Sequence, residues 1–223
     1  MKIIPSILTN DFDDFKKKLK ILEEFAKTIQ IDIMDGNFVN NTSFDKDLSN
    51  TDLCHDIGHD IGHDTKLELH LMVNHPLKYI EKWQEVKNIS RIIFHIESLD
   101  DPDEVIEKIK SLNLEVGIAI NPKTPIEQIE PYLGKINQIL FMTVTPGKQG
   151  GKFLPEVGEK IKEFKSKSLQ FIDNQPLIAT DGGANENTIE EIKTWGVDII
   201  GVGSAIIKTE NPKRSYKKLL EKI

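Results

Sequence analysis

Thr28-Ile29-Gln30-Ile31-Asp32-Ile33-Met34-Asp35-Gly36 (28–36) runs a short β-branched stretch into an acidic end closed by glycine. A run of this kind, bounded by a turn residue, reads as a strand (TIQIDI, 28–33) handing over to a loop. The same format recurs along the chain. Further strand candidates are KIIPSIL (2–8), LELHLM (67–72), RIIFHIE (91–97), EVGIAI (115–120), QILFMTV (138–144), PLIAT (176–180) and DIIGVG (198–203).

Between these runs lie longer charged stretches with helical spacing, near 11–26, 76–86, 102–112, 125–133, 155–167, 185–195 and 211–222. In the first, Phe12, Phe15, Leu19, Leu22 and Phe25 recur at three and four residues, one face of a helix. Asn10-Asp11, Asp101-Pro102 and Asn185 supply helix-start signals. Eight strands in alternation with helices imply parallel pairing, since each crossover returns the chain in the same direction. A doubly wound open sheet also fits that pattern. Eight repeats within 223 residues, with no linker or composition break, favour a closed (β/α)8 TIM barrel of the α/β class. The expectation is one domain over 1–223, with an irregular insertion near 52–66.

That insertion carries a tandem repeat, His-Asp-Ile-Gly, which sets His55, His59 and His63 four residues apart. On a helix the three would share a face and suit a metal. Gly58 and Gly62 weaken a helix there, and duplication creates equal spacing without selection for ligands. The repeat therefore reads as a tolerated polar insertion ahead of a metal site.

Composition narrows the function. Lys plus Arg number 29 against 36 Asp plus Glu, a net charge of −7, which disfavours a nucleic-acid or anionic-membrane surface. A bound anion must then be held locally by oriented backbone N–H groups. The lone cysteine, Cys54, excludes an internal disulfide and fits a reducing compartment. The opening MKIIPSILTNDF is too short and interrupted for a signal peptide, and VDIIGVGSAII is too short for a membrane span. A cytoplasmic protein with no membrane or nucleic-acid partner is expected.

In a barrel of this type the active site gathers at the C-terminal strand ends. Those positions are polar here: Ser6, Asp32, His70, His95 with Glu97, Asn121, Thr143, Asp181 and Ser204. Asp32 and Asp181, from well-separated strands, can face each other and serve as acid and base on two faces of a substrate carbon. With His70 they can also hold a divalent metal. An isolated strand-end aspartate more often caps a helix, but Asp, His and Asp recurring at three ends weakens that reading. Met34, Met72 and Met142 each lie near a different strand end and can wall off water, though methionine also fills ordinary cores. Gly147, Gly150 and Gly151 after the sixth strand, Gly182-Gly183 after the seventh and Gly203-Ser204 after the eighth suggest a phosphate site.

These residues resemble the ribulose-phosphate 3-epimerase family. The likeness runs through PSIL (5–8), IDIMDGNFVNN (31–41), LHLMVNHPLKYI (69–80), FHIES (94–98), GIAINPKTP (117–125), MTVTPGKQGGKF (142–153), DGG (181–183) and VGSAI (202–206). It implies a barrel of the ribulose-phosphate-binding type that interconverts D-ribulose 5-phosphate and D-xylulose 5-phosphate in the pentose phosphate pathway. It implies proton transfer at C3 through a 2,3-enediolate, with Asp32 and Asp181 as the acid/base pair. It implies a divalent metal, Zn2+ or Fe2+ first and Mn2+ or Co2+ as alternatives, on Asp32, His70, Asp181 and the position of Gln30. Ser6, His70 and the three methionines match substrate contacts. Gly147, Gly150, Gly182, Gly183, Gly203 and Ser204 match the phosphate grip. A homo-oligomer acting on a small phosphosugar is the expected assembly.

The chain departs from the family pattern at Gln30, where histidine is usual, so a weaker or differently selective metal site is expected. Asn37 and Asn40 also depart, and the phosphate loop reads Pro-Gly-Lys-Gln-Gly-Gly. Lys148 either assists a phosphate or points into water. The alternatives are an epimerase of a longer ketose phosphate, such as allulose 6-phosphate, and a catalytically weakened phosphosugar-binding barrel. Decarboxylases of similar plan carry an Asp-x-Lys-x-x-Asp motif, and IDIMDG lacks its lysine.

Overall fold

A computed structural model describes residues 1–44, 64–86, 88–147, 150–167 and 175–223. The His-Asp-Ile-Gly repeat and Lys148 lie outside the described residues. Eight parallel strands close on themselves in sequence order: β1 (Lys2–Ile7), β2 (Thr28–Met34), β3 (Lys66–Met72), β4 (Ile89–His95), β5 (Glu115–Ile120), β6 (Gln138–Met142), β7 (Leu177–Asp181) and β8 (Ile199–Val202). The described helices are α1 (Phe12–Glu23), α2 (Pro76–Trp83), α3 (Pro102–Ser111), α4 (Val157–Lys167), α5 (Ile189–Thr194), α6 (Ser204–Ile207) and α7 (Pro212–Leu220). The closed (β/α)8 TIM barrel is therefore the fold.

Each strand is buried on both faces, which is why it reads as a nearly unbroken apolar run. Along β2, Ile29, Ile31 and Ile33 join the large core beneath the helices, while Gln30 and Asp32 take the opposite face. That core also receives Phe15, Leu19 and Leu22 of α1, whose start is capped by the Asp11 side chain accepting from Asp14 N–H at 2.7 Å. A second cluster, Ile4, Ile93, Ala119, Leu140, Met142, Ala179 and Ile199, fills the barrel interior. Gly117 makes room for it: a Cβ there would sit 2.7 Å from Ile93 Cγ1.

Below that apolar layer the interior turns polar. Arg91 donates from Nη1 to Glu68 at 2.7 Å and to the Gln138 amide oxygen, with all three buried. Burial raises the Glu68 carboxyl against the pull of Arg91.

Three stretches differ from expectation. Over 125–133 the chain makes two 3-10 turns, Ile126–Gln128 and Glu130–Lys135, rather than one α-helix. Pro131 removes an amide donor in mid-stretch and Gly134 weakens its end, so only short turns survive around the buried Ile126, Ile129 and Leu133. After β8 the chain inserts α6 before α7, although the spacing had suggested only the later helix. Asn185 starts a turn, accepting from Asn187 N–H, and the helix itself begins at Ile189 behind Thr188.

Candidate active site

The parallel register brings the polar strand ends together. Asp32 lies beside His70 across β2 and β3, and Ser6 beside Gln30 across β1 and β2. Asp181 neighbours Met142 on one side and Gly201 on the other. One cleft at this mouth is lined by Ser6, Asp32, Asp181, the three methionines 34, 72 and 142, and the glycines 147, 150, 182, 183 and 203 with Ser204. Every cleft residue expected from the sequence lies there except Gln30 and His70, which are buried against Asp32 and Asp181.

Gln30 Nε2 donates to Asp32 Oδ1 at 2.8 Å and to Asp181 Oδ2 at 3.1 Å, so one amide spans both acids. His70 Nδ1 lies 3.2 Å from Asp32 Oδ1 and 3.5 Å from Asp181 Oδ2. Burial opposes the His70 cation, but its hydrogen bonds to Asp181 and Asp32 prevail and push its pKa up to about 9. Burial also raises the Asp32 carboxyl, with the Asp181 charge adding to it and the hydrogen bonds from His70 and Gln30 opposing it.

Asp32, His70 and Asp181 each offer a ligand atom, all within 4.8 Å of one another and all buried. Two carboxylates and an imidazole at that separation suit a divalent cation, whose charge would take the place of the proton on His70. Gln30 as it stands turns its N–H2 group toward the acids. To ligate through Oε1 its amide must turn over, a movement that a cation between the carboxylates would favour.

The back of His70 makes a further contact. His70 Nε2 meets His95 Nε2 at 3.0 Å, and His95 Nδ1 meets Glu97 Oε2 at 3.2 Å. Glu97 also accepts from Asn121 N–H at 2.9 Å. Burial raises its carboxyl, but the hydrogen bonds from His95, Thr124 and Asn121 hold it below the usual range. Burial, with the His70 charge nearby, lowers His95 to about 4.

The glycine segments form the other side of the cleft. Gly182 has φ +107°, and a Cβ on it would fall 2.4 Å from Val144 Cγ2, so glycine is required on both counts. Gly201 was not expected as a site residue. A Cβ there would approach Asp181 Oδ1 to 3.0 Å, so its bare backbone makes space for that carboxylate. A glycine inside the β-branched run DIIGVG was the available signal. Leu8, Val144 and Ala184 also line the cleft, and ordinary apolar residues at loop starts carry no sequence signal of that role.

A closed barrel with two acids and a histidine converging at its C-terminal mouth defines a barrel enzyme. Its backbone is similar to the crystal structure of 3-hexulose-6-phosphate synthase, with a TM-score of 0.68 and 13% identity over 100% of both chains, a likeness of fold. Residues 2–207 match the model of the Ribulose-phosphate 3 epimerase family. The chain is 34% identical to the ribulose-phosphate 3-epimerase of Methanocaldococcus jannaschii, over 99% of this chain and 90% of that one. It is 30% identical to that of Bacillus subtilis over 98% of each. This chain belongs to the ribulose-phosphate 3-epimerase family and is an isomerase of the epimerase type.

Proposed function

We propose that the chain interconverts D-ribulose 5-phosphate and D-xylulose 5-phosphate by moving a proton at C3. The observation that carries this reading is the convergence of Asp32 and Asp181, from β2 and β7, on one cleft and on one amide nitrogen between them. Two carboxyl groups so placed can take a proton from one face of a carbon and return one to the other. In one direction the Asp181 carboxylate removes the C3 proton, leaving a 2,3-enediolate. Asp32 then gives a proton to the opposite face, a role toward which burial shifts its carboxyl by raising it. The reverse direction exchanges the two roles.

Asp32, His70 and Asp181 are the residues to hold a divalent metal, with Gln30 joining them if its amide turns over. When bound, the metal supplies positive charge where substrate oxygens become negative. Zn2+ or Fe2+ suits the imidazole, whereas the amide oxygen favours harder ions such as Mn2+. The three methionines keep bulk water from the enediolate, and Ser6 offers a hydroxyl to the sugar chain. Gly147, Gly150, Gly182, Gly183, Gly203 and Ser204 would grip the phosphate through backbone N–H groups. The chain then needs no basic surface to bind an anion.

The test is incubation with ribulose 5-phosphate in deuterated water. Xylulose 5-phosphate carrying deuterium at C3 is expected, and Asp32→Asn or Asp181→Asn should each lower turnover by about 100-fold or more. No xylulose 5-phosphate, or a near-normal rate in either variant, would reject the assignment.

A further inference from the structure

We propose that His95 and Glu97 are positioning residues: together they hold a hydrogen on His70 Nε2, so that Nδ1 is the ring atom offered to a metal between Asp32 and Asp181. Neither residue lines the cleft. His95 is fully buried, with the Phe38 ring packed against it at 4.7 Å between centroids.

Counting protons gives the direction of the chain. Only one proton can lie between His70 Nε2 and His95 Nε2 at 3.0 Å. Glu97 already receives the backbone N–H of Asn121 and the Thr124 hydroxyl, so it acts as an accepting carboxylate. The His95 nitrogen facing it, Nδ1, must therefore be a donor. His95 Nε2 is then the acceptor, and the shared proton belongs to His70 Nε2. The reverse order would set a ring lone pair against a carboxylate lone pair in a buried site, which is costly. In the metal-free protein a second hydrogen sits on Nδ1, 3.2 Å from Asp32 and 3.5 Å from Asp181; a cation taking its place would leave the hydrogen on Nε2 and the Nδ1 pair free to ligate.

The inference rests on the reading of Asp32, His70 and Asp181 as a metal-holding group. Residues that orient a ligand histidine in this way typically alter metal affinity by about 10- to 100-fold. Nothing in the epimerisation itself requires Glu97 or His95 at the substrate, so their effect should pass through the metal.

The experiment measures Zn2+ affinity by competition with a chromophoric chelator, alongside 15N NMR of the histidine rings in the zinc-loaded protein. In the wild type, His70 is expected to be metal-shifted at Nδ1 and protonated at Nε2. His95→Leu should loosen zinc by about 10- to 100-fold in protein that remains folded. His95→Gln, whose amide oxygen can accept from His70 Nε2, should recover most of that loss. Should the leucine variant not fold, Glu97→Gln decides, because it frees His95 to take the other tautomer and should also loosen zinc. Wild-type zinc affinity in the variants that fold, or ligation through His70 Nε2, overturns the relay alone. A wild-type protein that takes up no Zn2+ overturns the metal reading and the relay with it.

Discussion

Gln30 holds the position from which both acids are reached, and its chemistry differs from that of the residues around it. As an amide it bridges Asp32 and Asp181 as a neutral donor, whereas an imidazole would offer a lone pair to a cation. Gln30→His is expected to tighten metal retention by about tenfold or more, read as the chelator concentration needed to strip the protein. An unchanged value would place residue 30 outside the coordination sphere. His70 adds a pH dependence in the metal-free protein. Its folded pKa of about 9 lies above the ordinary 6.5, so its stabilising contribution is complete below about 6.5 and disappears as pH rises through about 9. Thermal melts of the metal-free protein should therefore fall between pH 7 and pH 9.5, and His70→Gln should flatten that fall. A slope that the variant retains would assign the effect elsewhere.

At the scale of elements, loop backbone forms the glycine side of the cleft, and strands aim the acidic side chains into it. The turn after β7 shows the first case. Gly182→Ala would force a methyl group against Val144 at a φ of +107° and displace the amides lining the cleft. The expected result is a KM for the phosphosugar raised by about tenfold, with inhibition by inorganic phosphate weakened to match. An unaltered KM would remove this turn from the phosphate site. Strand β8 shows the second case, since Gly201 leaves the carboxylate of Asp181 its place. Elements were also where sequence patterning misled. The 125–133 stretch has apolar residues at helical spacing, yet Pro131 and Gly134 reduce it to 3-10 turns. Periodicity reports which face is buried, and it says less about which helix type buries it.

Across the whole molecule, closure removes every sheet edge and encloses polar groups at the mouth and in the lower interior around an apolar cluster. The acid pair and histidine occupy the mouth, while Glu68, Arg91 and Gln138 occupy the lower interior. Among the described residues no helix is long and apolar enough to cross a membrane. The lower network carries a stability prediction. Arg91→Leu leaves Glu68 buried and uncompensated, and should cost about 3–5 kcal/mol in denaturant unfolding. The double change Glu68→Leu with Arg91→Leu should regain much of that loss, because two apolar side chains need no partner. Equal stability of single and double variants would show that the pair is not coupled.

Strand number, strand direction and the chemical character of the mouth were legible from the amino-acid order alone. Strands buried on both faces must be written in apolar residues, so the exceptions, Asp32, His70 and Asp181, stand out wherever they occur. The glycines after β6, β7 and β8 also stand out in the sequence, and the structure puts them on one side of the cleft. Only the closed barrel decided which of these groups meet. The stagger between neighbouring strands sets Asp32 level with His70, brings Asp181 round to the same side, and puts the amide of Gln30 between the two acids. The contact of His95 with the back of His70 likewise arises from the curvature of the sheet. Local sequence fixes what each strand presents and to which face, whereas distances between side chains on different strands depend on the register and closure of all eight.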